Sequence, residues 1–200
     1  MSDSSDSPRI KRKQQPPQYY FKHRNYLKFL LIDFEKRCAY SGQHLQRVGG
    51  VGGMDIDHHN PTLRHPQKNA YKNLLLASRH CNGKKSNEWP TSEQRALGIR
   101  FLNPCEEQDY GKHLFEDPNT FEIWGATPAG RYHIRKLDLN AEHLVRERRR
   151  RHELRTLKKE PMVVSALRED ALQGVQAFSA EVEDMIPPFP QKKRPPTPIH

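Results

Sequence analysis

Two short polar clusters carry side chains that could do hydrolytic chemistry. The first is Asp55-Ile56-Asp57-His58-His59 and the second is Asn82-Gly83-Lys84-Lys85. An imidazole titrates near neutral pH, so His58 is a candidate general base that could take a proton from water. Carboxylate and amide oxygens suit Mg²⁺, so Asp57 and Asn82 are candidate metal ligands. Either cluster alone would be read as polar surface residues beside a turn, because an Asp-His pair occurs by chance in many proteins.

The residues around these clusters predict a strand, a loop, a second strand and a helix. Met54 to His58 alternates apolar and polar residues and is followed by Pro61, as in a short strand that delivers polar side chains to its end. Leu74 to Ala77 is an apolar run of strand length. Ser78 can cap a helix that carries Asn82. This order would bring the two clusters together at one end of the strand pair.

The order of these motifs resembles the HNH nucleases, whose ββα-metal fold binds one divalent ion. The resemblance rests on Asp57-His58, Asn73-Leu74 and the Cys-Asn-x-x-Lys pattern of Cys81 to Lys85, and it is strongest from Cys38 to Trp89. The run Asn82 to Ser86 also resembles the matching helix in the HNH domain of RNA-guided CRISPR nucleases. The resemblance implies a small ββα-metal HNH core. Periodicity adds flanking helices and composition adds disordered basic and Pro-rich tails, so the predicted fold class is α+β.

The resemblance also implies roles for the polar side chains around the metal. His58 would be the general base that activates water. Asp57 and Asn82 would hold one Mg²⁺ or Mn²⁺ ion, which would polarise the phosphoryl group. Asp55 lies two residues from Asp57 on the same strand and is a candidate supporting ligand.

Three further residues near the site are given supporting roles. Asn73 would organise the loop around the histidine without doing chemistry itself. Lys85, one helical turn beyond Asn82, would contact the scissile or an adjacent phosphate, and Lys84 would contact nucleic acid. The leading hypothesis is therefore a metal-dependent DNA endonuclease. The alternatives are a nucleic-acid-binding adaptor with an inert HNH core and an HNH-type RNase.

The cysteines depart from the pattern of zinc-binding HNH proteins, in which two Cys-x-x-Cys pairs hold structural zinc. Here a serine replaces one cysteine in each motif, which gives Cys38 with Ser41 and Ser78 with Cys81. A closed structural zinc site needs four thiolate or imidazole ligands, so we expect a knuckle without zinc. The alternative is that other side chains complete the ligand set: His44, His80 and Cys105.

The chain carries an excess of positive charge that favours a polyanionic partner. Lys and Arg number 34 against 24 Asp and Glu, which gives a formal charge of +10. A helix predicted from Ala141 to about Lys159, capped by Asn140, is polar all round. Its run of four consecutive arginines should meet water, acidic side chains or phosphate, because burial would leave unpaired charge. We expect these to bind DNA: Arg148, Arg149, Arg150 and Arg151.

Other elements are predicted from periodicity and capping residues. Tyr20 to Arg37 has helical spacing, and Thr91 to Leu97 is a short helix opened by a threonine. Residues 113–124 suit a hairpin around the turn-rich segment Asp117-Pro118-Asn119-Thr120. Thr127-Pro128 opens a further helix that runs through Leu137.

Composition suits one modest core, since only 34% of the residues are apolar. The predicted organisation has five parts. Residues 1–18 form a disordered basic arm, 19–100 the HNH nuclease core with its N-terminal helix, and 101–160 a hairpin and basic helical extension. Residues 161–186 form an amphipathic helix that offers a face to a protein partner or a second copy, and 187–200 form a Pro-rich tail.

No apolar segment is long enough to cross a membrane, and the N-terminus lacks the apolar core of a signal peptide. Three cysteines argue against a secreted disulfide scaffold. These features predict a cytoplasmic protein with no membrane partner.

A looser resemblance links the C-terminal part to HNH proteins of bacterial anti-phage systems, including Septu and retron-linked nucleases. It rests on Pro104-Cys105-Glu106 and on the Leu-Asp-Leu-Asn-x-x-x-Leu-Val-x-x-Arg pattern of Leu137 to Arg148. It implies a defence effector that acts with a partner such as an ATPase.

Overall fold

The strand, loop, strand and helix predicted around the two clusters form the centre of the structure. The computed structural model describes residues 7–16 and 18–157. This part is α+β, with two antiparallel two-stranded sheets and five α-helices. The strands are β1 Met54–His58, β2 Leu74–Ser78, β3 Leu114–Glu116 and β4 Ile123–Gly125. The helices are α1 Leu27–Asp33, α2 Arg79–Lys85, α3 Ser92–Ala96, α4 Pro128–Leu137 and α5 Glu142–Leu157.

The β1–β2 pair confirms the predicted ββα order. The strands run antiparallel, with Met54 opposite Ser78 and His58 opposite Leu74. Every residue of β2 is buried, and the strand contacts α1 and α2 as well as β1. Ser78 ends β2 and caps α2, since its side-chain oxygen accepts a hydrogen bond from the backbone N–H of Cys81 at 3.4 Å.

The predicted N-terminal helix is shorter than its periodicity indicated. A 3-10 turn at His23–Tyr26 precedes α1, and the helix ends at Asp33. Glu35 and Lys36 follow with φ of +49° and +57°, a left-handed conformation that cannot continue a helix. The apolar face is buried as predicted, through the side chains of Tyr26, Leu30, Leu31 and Phe34.

The hairpin and α4 confirm the predictions for residues 113–137. Strands β3 and β4 pair antiparallel, and Thr127 caps α4 with a hydrogen bond from the Gly130 N–H at 3.1 Å. Gly125 and Gly130 let the helix approach the hairpin closely. A Cβ added at Gly130 would lie 2.3 Å from the carbonyl oxygen of His113, so any side chain there would push α4 away.

The predicted disordered arm does not hold for residues 7–16, which lie against the core. The Arg9 Nε donates to both carboxylate oxygens of Asp109, at 2.9 and 3.0 Å. Arg12 donates to the carbonyl oxygen of Leu74 at 2.6 Å and lies over the ring of Tyr71 at 4.7 Å. Basic composition predicted a solvated tail, but these arginines have buried polar groups as partners.

Helix α5 has a buried face, and this corrects the prediction for Arg148. Its side chain is only 2% exposed. The guanidinium donates to the carbonyl oxygens of Phe121 and Leu139 and to the Asn140 side chain. Arg148 therefore joins the helix to the hairpin, and its guanidinium is not free at the surface for the predicted DNA contact. Asn140, predicted to cap the helix, instead bonds both backbone polar groups of Ile123 at 2.8 Å.

The remaining three arginines of the run differ in exposure: Arg149 and Arg150 are exposed, and Arg151 is half-buried. The predicted amphipathic helix at 161–186 and the Pro-rich tail at 187–200 lie outside the described residues. Within the part that the structure describes, no helix has the length and apolar character to cross a membrane.

Replacing Arg148 with leucine should destabilise the fold, since the buried carbonyl oxygens of Phe121 and Leu139 would lose this donor. We expect Arg148→Leu to lower the free energy of unfolding by about 2 to 4 kcal/mol, measured by urea denaturation. Arg150→Leu removes the same charge from an exposed position of the same helix, and we expect a change within about 0.5 kcal/mol. Equal destabilisation by the two variants would contradict the structural role of Arg148.

Candidate active site

One cavity brings together the residues that sequence analysis selected for chemistry. It lies between the end of β1 and helix α2, and its volume is about 320 Å³. Asp57, His58 and Asn82 all line it. The cavity is completed by these residues: Ile56, Pro61, Gly83, Ser86 and Asn87. The carboxylate of Asp57 and the imidazole of His58, on β1, therefore line the same cavity as the amide of Asn82, on α2.

Asp57 is held by two hydrogen bonds beneath this cavity. Its side chain is 3% exposed. Oδ1 accepts from the Lys85 Nζ at 2.9 Å, and Oδ2 accepts from the Tyr40 hydroxyl. Burial and the nearby Asp57 charge raise the pKa of Tyr40 well above its ordinary value, so the phenol remains a donor. Sequence reasoning missed Tyr40, which reaches the site from a turn distant in the chain.

Lys85 does not lie where the resemblance implied. Its side chain is fully buried, and Nζ donates to Asp57 and to the backbone carbonyl oxygen of His58, at 2.9 and 2.8 Å. Burial lowers the pKa of Lys85, and the Asp57 charge opposes that shift. This ammonium faces the strand, so the structure does not expose it for the phosphate contact that the resemblance implied. Lys84 lies at the surface and pairs with Asp138 at 2.9 Å.

Asp55 and Asn82 contact each other across the strand–helix junction. The Asn82 side-chain nitrogen donates to Asp55 Oδ2 at 3.2 Å, so its oxygen is the atom left for a cation. Asp55 also lies 4.0 Å from the Arg79 Nε. Asp55 therefore contacts two residues of α2, Asn82 and Arg79.

His58 is oriented by a residue that sequence reasoning missed. Its Nε2 lies 2.9 Å from Asn69 Oδ1. The Asn69 nitrogen donates to the Phe21 carbonyl oxygen at 2.6 Å, so the amide oxygen must face the imidazole. Nε2 therefore carries the proton, and Nδ1 is left as the proton acceptor. The His23 ring packs edge-on against His58 with centroids 4.9 Å apart. Neither Asn69 nor His23 belongs to a motif or spacing from which its contact with His58 could have been predicted.

Asn73 ties together the loop between the strands. Its Nδ2 donates to the carbonyl oxygens of Asn60 and Lys68, at 3.1 and 2.9 Å. Its Oδ1 accepts from the Asn60 N–H at 2.9 Å. These bonds connect Asn73 to the start of the loop at Asn60 and to Lys68, next to Asn69.

The cysteine knuckle forms one buried cluster. Cys38 and Cys81 are free, buried thiols. The Ser41 N–H donates to Cys38 Sγ at 3.4 Å, and Ser78 lies against both thiols. Hydroxyls stand where a closed zinc site would have thiolates. Among the described residues, no three His, Cys, Asp or Glu side chains are grouped to hold a metal ion.

The comparison with protein families agrees with this geometry. Residues 38–91 match the family of HNH endonucleases, and this segment contains the cysteine knuckle, both strands of the first sheet and α2. Comparison with curated proteins and with solved structures gave no match. An HNH domain indicates nuclease activity on nucleic acid, and HNH nucleases generally use divalent metal ions.

His59, next to the candidate base, is half-buried. Its Nδ1 has no hydrogen-bond partner among the described residues, and its ring packs against Trp89. Burial, followed by the charge of Lys85, lowers the pKa of His59 from 6.5 to about 3. The unfolded chain takes up this proton below about pH 6.5, whereas the folded chain resists it down to about pH 3. Stability linked to His59 is therefore complete above that range and falls as the pH falls.

We expect this linkage to cost the wild type about 2 kcal/mol of unfolding free energy between pH 7 and pH 5. In His59→Phe the difference in stability between these two pH values should be smaller by that amount. Urea denaturation at both pH values measures it, with exposed His65→Phe as the control. The same pH dependence in wild type and His59→Phe would show that His59 is not held neutral by the fold.

Proposed function

We propose that this protein is a metal-dependent endonuclease that hydrolyses phosphodiester bonds in DNA. His58 is the general base, and Asp57 and Asn82 hold one divalent ion, Mg²⁺ or Mn²⁺. The observation that carries the proposal is the meeting of these three side chains at one cavity within the segment that matches HNH endonucleases.

The donor atoms at the cavity fit a hard cation. Mg²⁺ is usually held by one or two carboxylates, with water and substrate phosphate as the other ligands. An ionised carboxylate has about four lone-pair sites, so the two bonds that Asp57 accepts leave room for an ion. Asn82 offers its oxygen, and Asp55 lies beside it as a supporting carboxylate. Such an ion would stabilise negative charge on the phosphoryl and leaving oxygens.

The protein's own residues supply the proton transfer. With Nε2–H held by Asn69, the His58 Nδ1 can take a proton from the attacking water. Lys85 acts indirectly, because it fixes Asp57 and the backbone at the end of β1 from beneath the cavity. Tyr40 holds the other carboxylate oxygen in place.

DNA is the proposed substrate because the chain has a net charge of +10 and this hydrolysis needs no 2′-hydroxyl. A role as an anti-phage effector with a partner such as an ATPase belongs to the same proposal. Its support is the resemblance of Pro104 to Glu106 and of Leu137 to Arg148 to the HNH proteins of those systems.

His58→Ala should lower the cleavage rate by about 10² to 10⁴, because only the proton acceptor is removed. The assay uses plasmid DNA and, separately, RNA, each with Mg²⁺, Mn²⁺ or EDTA. We expect DNA cleavage that EDTA abolishes, with DNA binding kept in the variant. His143→Ala, an exposed histidine outside the cavity, is the control.

Cleavage by His58→Ala at the wild-type rate would remove this residue from the mechanism, and cleavage in EDTA would remove the metal. Faster cleavage of RNA would assign the substrate to the RNase alternative. DNA binding without cleavage under any of these conditions would favour the inert adaptor. Asp57→Asn and Asn82→Ala should each lower activity and raise the Mg²⁺ concentration required, because the first replaces a charged carboxylate with a neutral amide and the second removes an oxygen ligand.

Asn69 is predicted to position His58 without touching the substrate. Asn69→Ala should lower kcat about fivefold and leave KM nearly unchanged, since it removes one hydrogen bond worth about 1 kcal/mol. In Asn69→Asp a carboxylate beside the imidazole favours its protonated form, so the acid limb of the pH–rate profile should move to higher pH. Gln67→Ala in the same turn is the control. A rise in KM with kcat unchanged would contradict this role.

A further inference from the structure

A second cavity, of about 280 Å³, lies beside α5 and shares no lining residue with the candidate active site. Its walls come from the arm at residues 7–16, the turn at Ser41-Gly42, the β3 hairpin and α5. Four arginines and a histidine line it: Arg9, Arg148, Arg151, Arg155 and His152. Four guanidinium groups around one cavity repel each other unless acidic groups or a bound anion balance their charge.

The balance is incomplete within the described part of the chain. Arg9 is paired with Asp109, and Arg148 is bonded to carbonyl and amide oxygens, which neutralise no formal charge. Glu116 is the one carboxylate in the cavity wall. The ion pairs of α5 with described residues use other positions, namely Arg146 with Glu142 and Glu147 with Arg47. Arg151 and Arg155 therefore leave the cavity with excess positive charge.

Arg151 has a buried donor with nothing to bond. Its Nε is inaccessible to solvent and has no hydrogen-bond partner among the described residues. The guanidinium packs at Gly42, where an added Cβ would lie 3.2 Å from Nη1. A buried unpaired donor is unfavourable. Because Arg151 lines the cavity, a small rotation of its side chain would bring Nε to an acceptor on a ligand there.

The other polar groups in the wall suit an anion with several oxygens. The guanidinium fork binds phosphate oxygens in pairs, and arginine is the residue best shaped for this contact. Burial raises the pKa of Tyr110 to about 12, so its phenol stays protonated beside the arginines. His152 adds a ring nitrogen from the next position along α5.

We propose that this cavity is a phosphate-binding site in which Arg151 and Arg155 make the main contacts. The phosphate belongs either to the backbone of the nucleic-acid substrate, away from the cleaved bond, or to a free phosphate compound. The first source rests on the proposed function, whereas the second does not. The predicted DNA contact of α5 therefore changes. It is made from one side of the helix, by Arg151 and Arg155, and not by the whole run Arg148–Arg151.

The test begins with the full chain and inorganic phosphate. Arginine Nε–Hε signals in ¹H–¹⁵N spectra are followed during a phosphate titration at constant ionic strength. We expect a saturable shift of the Arg151 signal, and at least tenfold weaker binding in the double variant Arg151→Gln, Arg155→Gln. The matched control is Arg149→Gln, Arg150→Gln, which removes the same charge from exposed positions of the same helix. If the double variant does not fold, Arg155→Gln alone is used.

The second arm measures duplex DNA binding against salt in a His58→Ala background, so that it does not depend on cleavage. If the phosphate is that of DNA, the cavity variant should flatten the plot of log affinity against log salt by about 0.9 for each phosphate that is no longer bound. The control should keep the wild-type slope. Phosphate binding with equal DNA slopes in the two variants would assign a free phosphate compound as the ligand.

The proposal is overturned if the Arg151 signal does not respond to phosphate and the two double variants bind DNA alike. Its failure is distinguishable from failure of the proposed nuclease, since phosphate binding is measured without catalysis. A protein that binds phosphate here but cleaves nothing would keep this site and exclude the nuclease.

Discussion

A buried ion pair between Lys85 on α2 and Asp57 on β1 holds the two elements of the candidate site together. Both side chains are almost inaccessible to solvent, so each charge depends on the other and on its added hydrogen bonds. Asp57 accepts from Tyr40, and Lys85 donates to the His58 carbonyl oxygen. The pair therefore fixes the strand end and the helix, and with them the positions of the imidazole and the amide at the cavity.

The loop between the strands is organised by amide side chains in a similar way. Asn73 binds the backbone of Asn60 and Lys68, and Asn69 lies between His58 and the Phe21 carbonyl oxygen. Each amide has a donor side and an acceptor side, and the backbone partner fixes which side faces the site. This is how residues that do no chemistry determine which imidazole nitrogen is available.

Arginine serves different purposes along the chain, so the net charge of +10 overstates the cations available to phosphate. Arg9 pairs with a buried carboxylate, and Arg148 satisfies carbonyl oxygens where the hairpin meets α5. Arg151, three residues beyond Arg148, has a buried nitrogen with no partner in the described residues. The distinction between a structural and a ligand-binding arginine depends on which acceptors surround the side chain.

The sequence by itself determined the ββα order, the hairpin, α4 and the meeting of Asp57, His58 and Asn82. Those features follow from local signals: alternation in β1, the Ser78 cap, and Thr127-Pro128 at the start of α4. Tertiary structure alone decided that Lys85 turns to Asp57, 28 residues away, and that Arg9 joins Asp109, 100 residues away. It also decided the burial of Arg148 and the choice of Asn69 as the partner of His58. The reason is physical: a cap or a strand pattern is set by neighbours in the chain, whereas the partner of a long polar side chain is set by whichever opposite group the fold brings within hydrogen-bond reach.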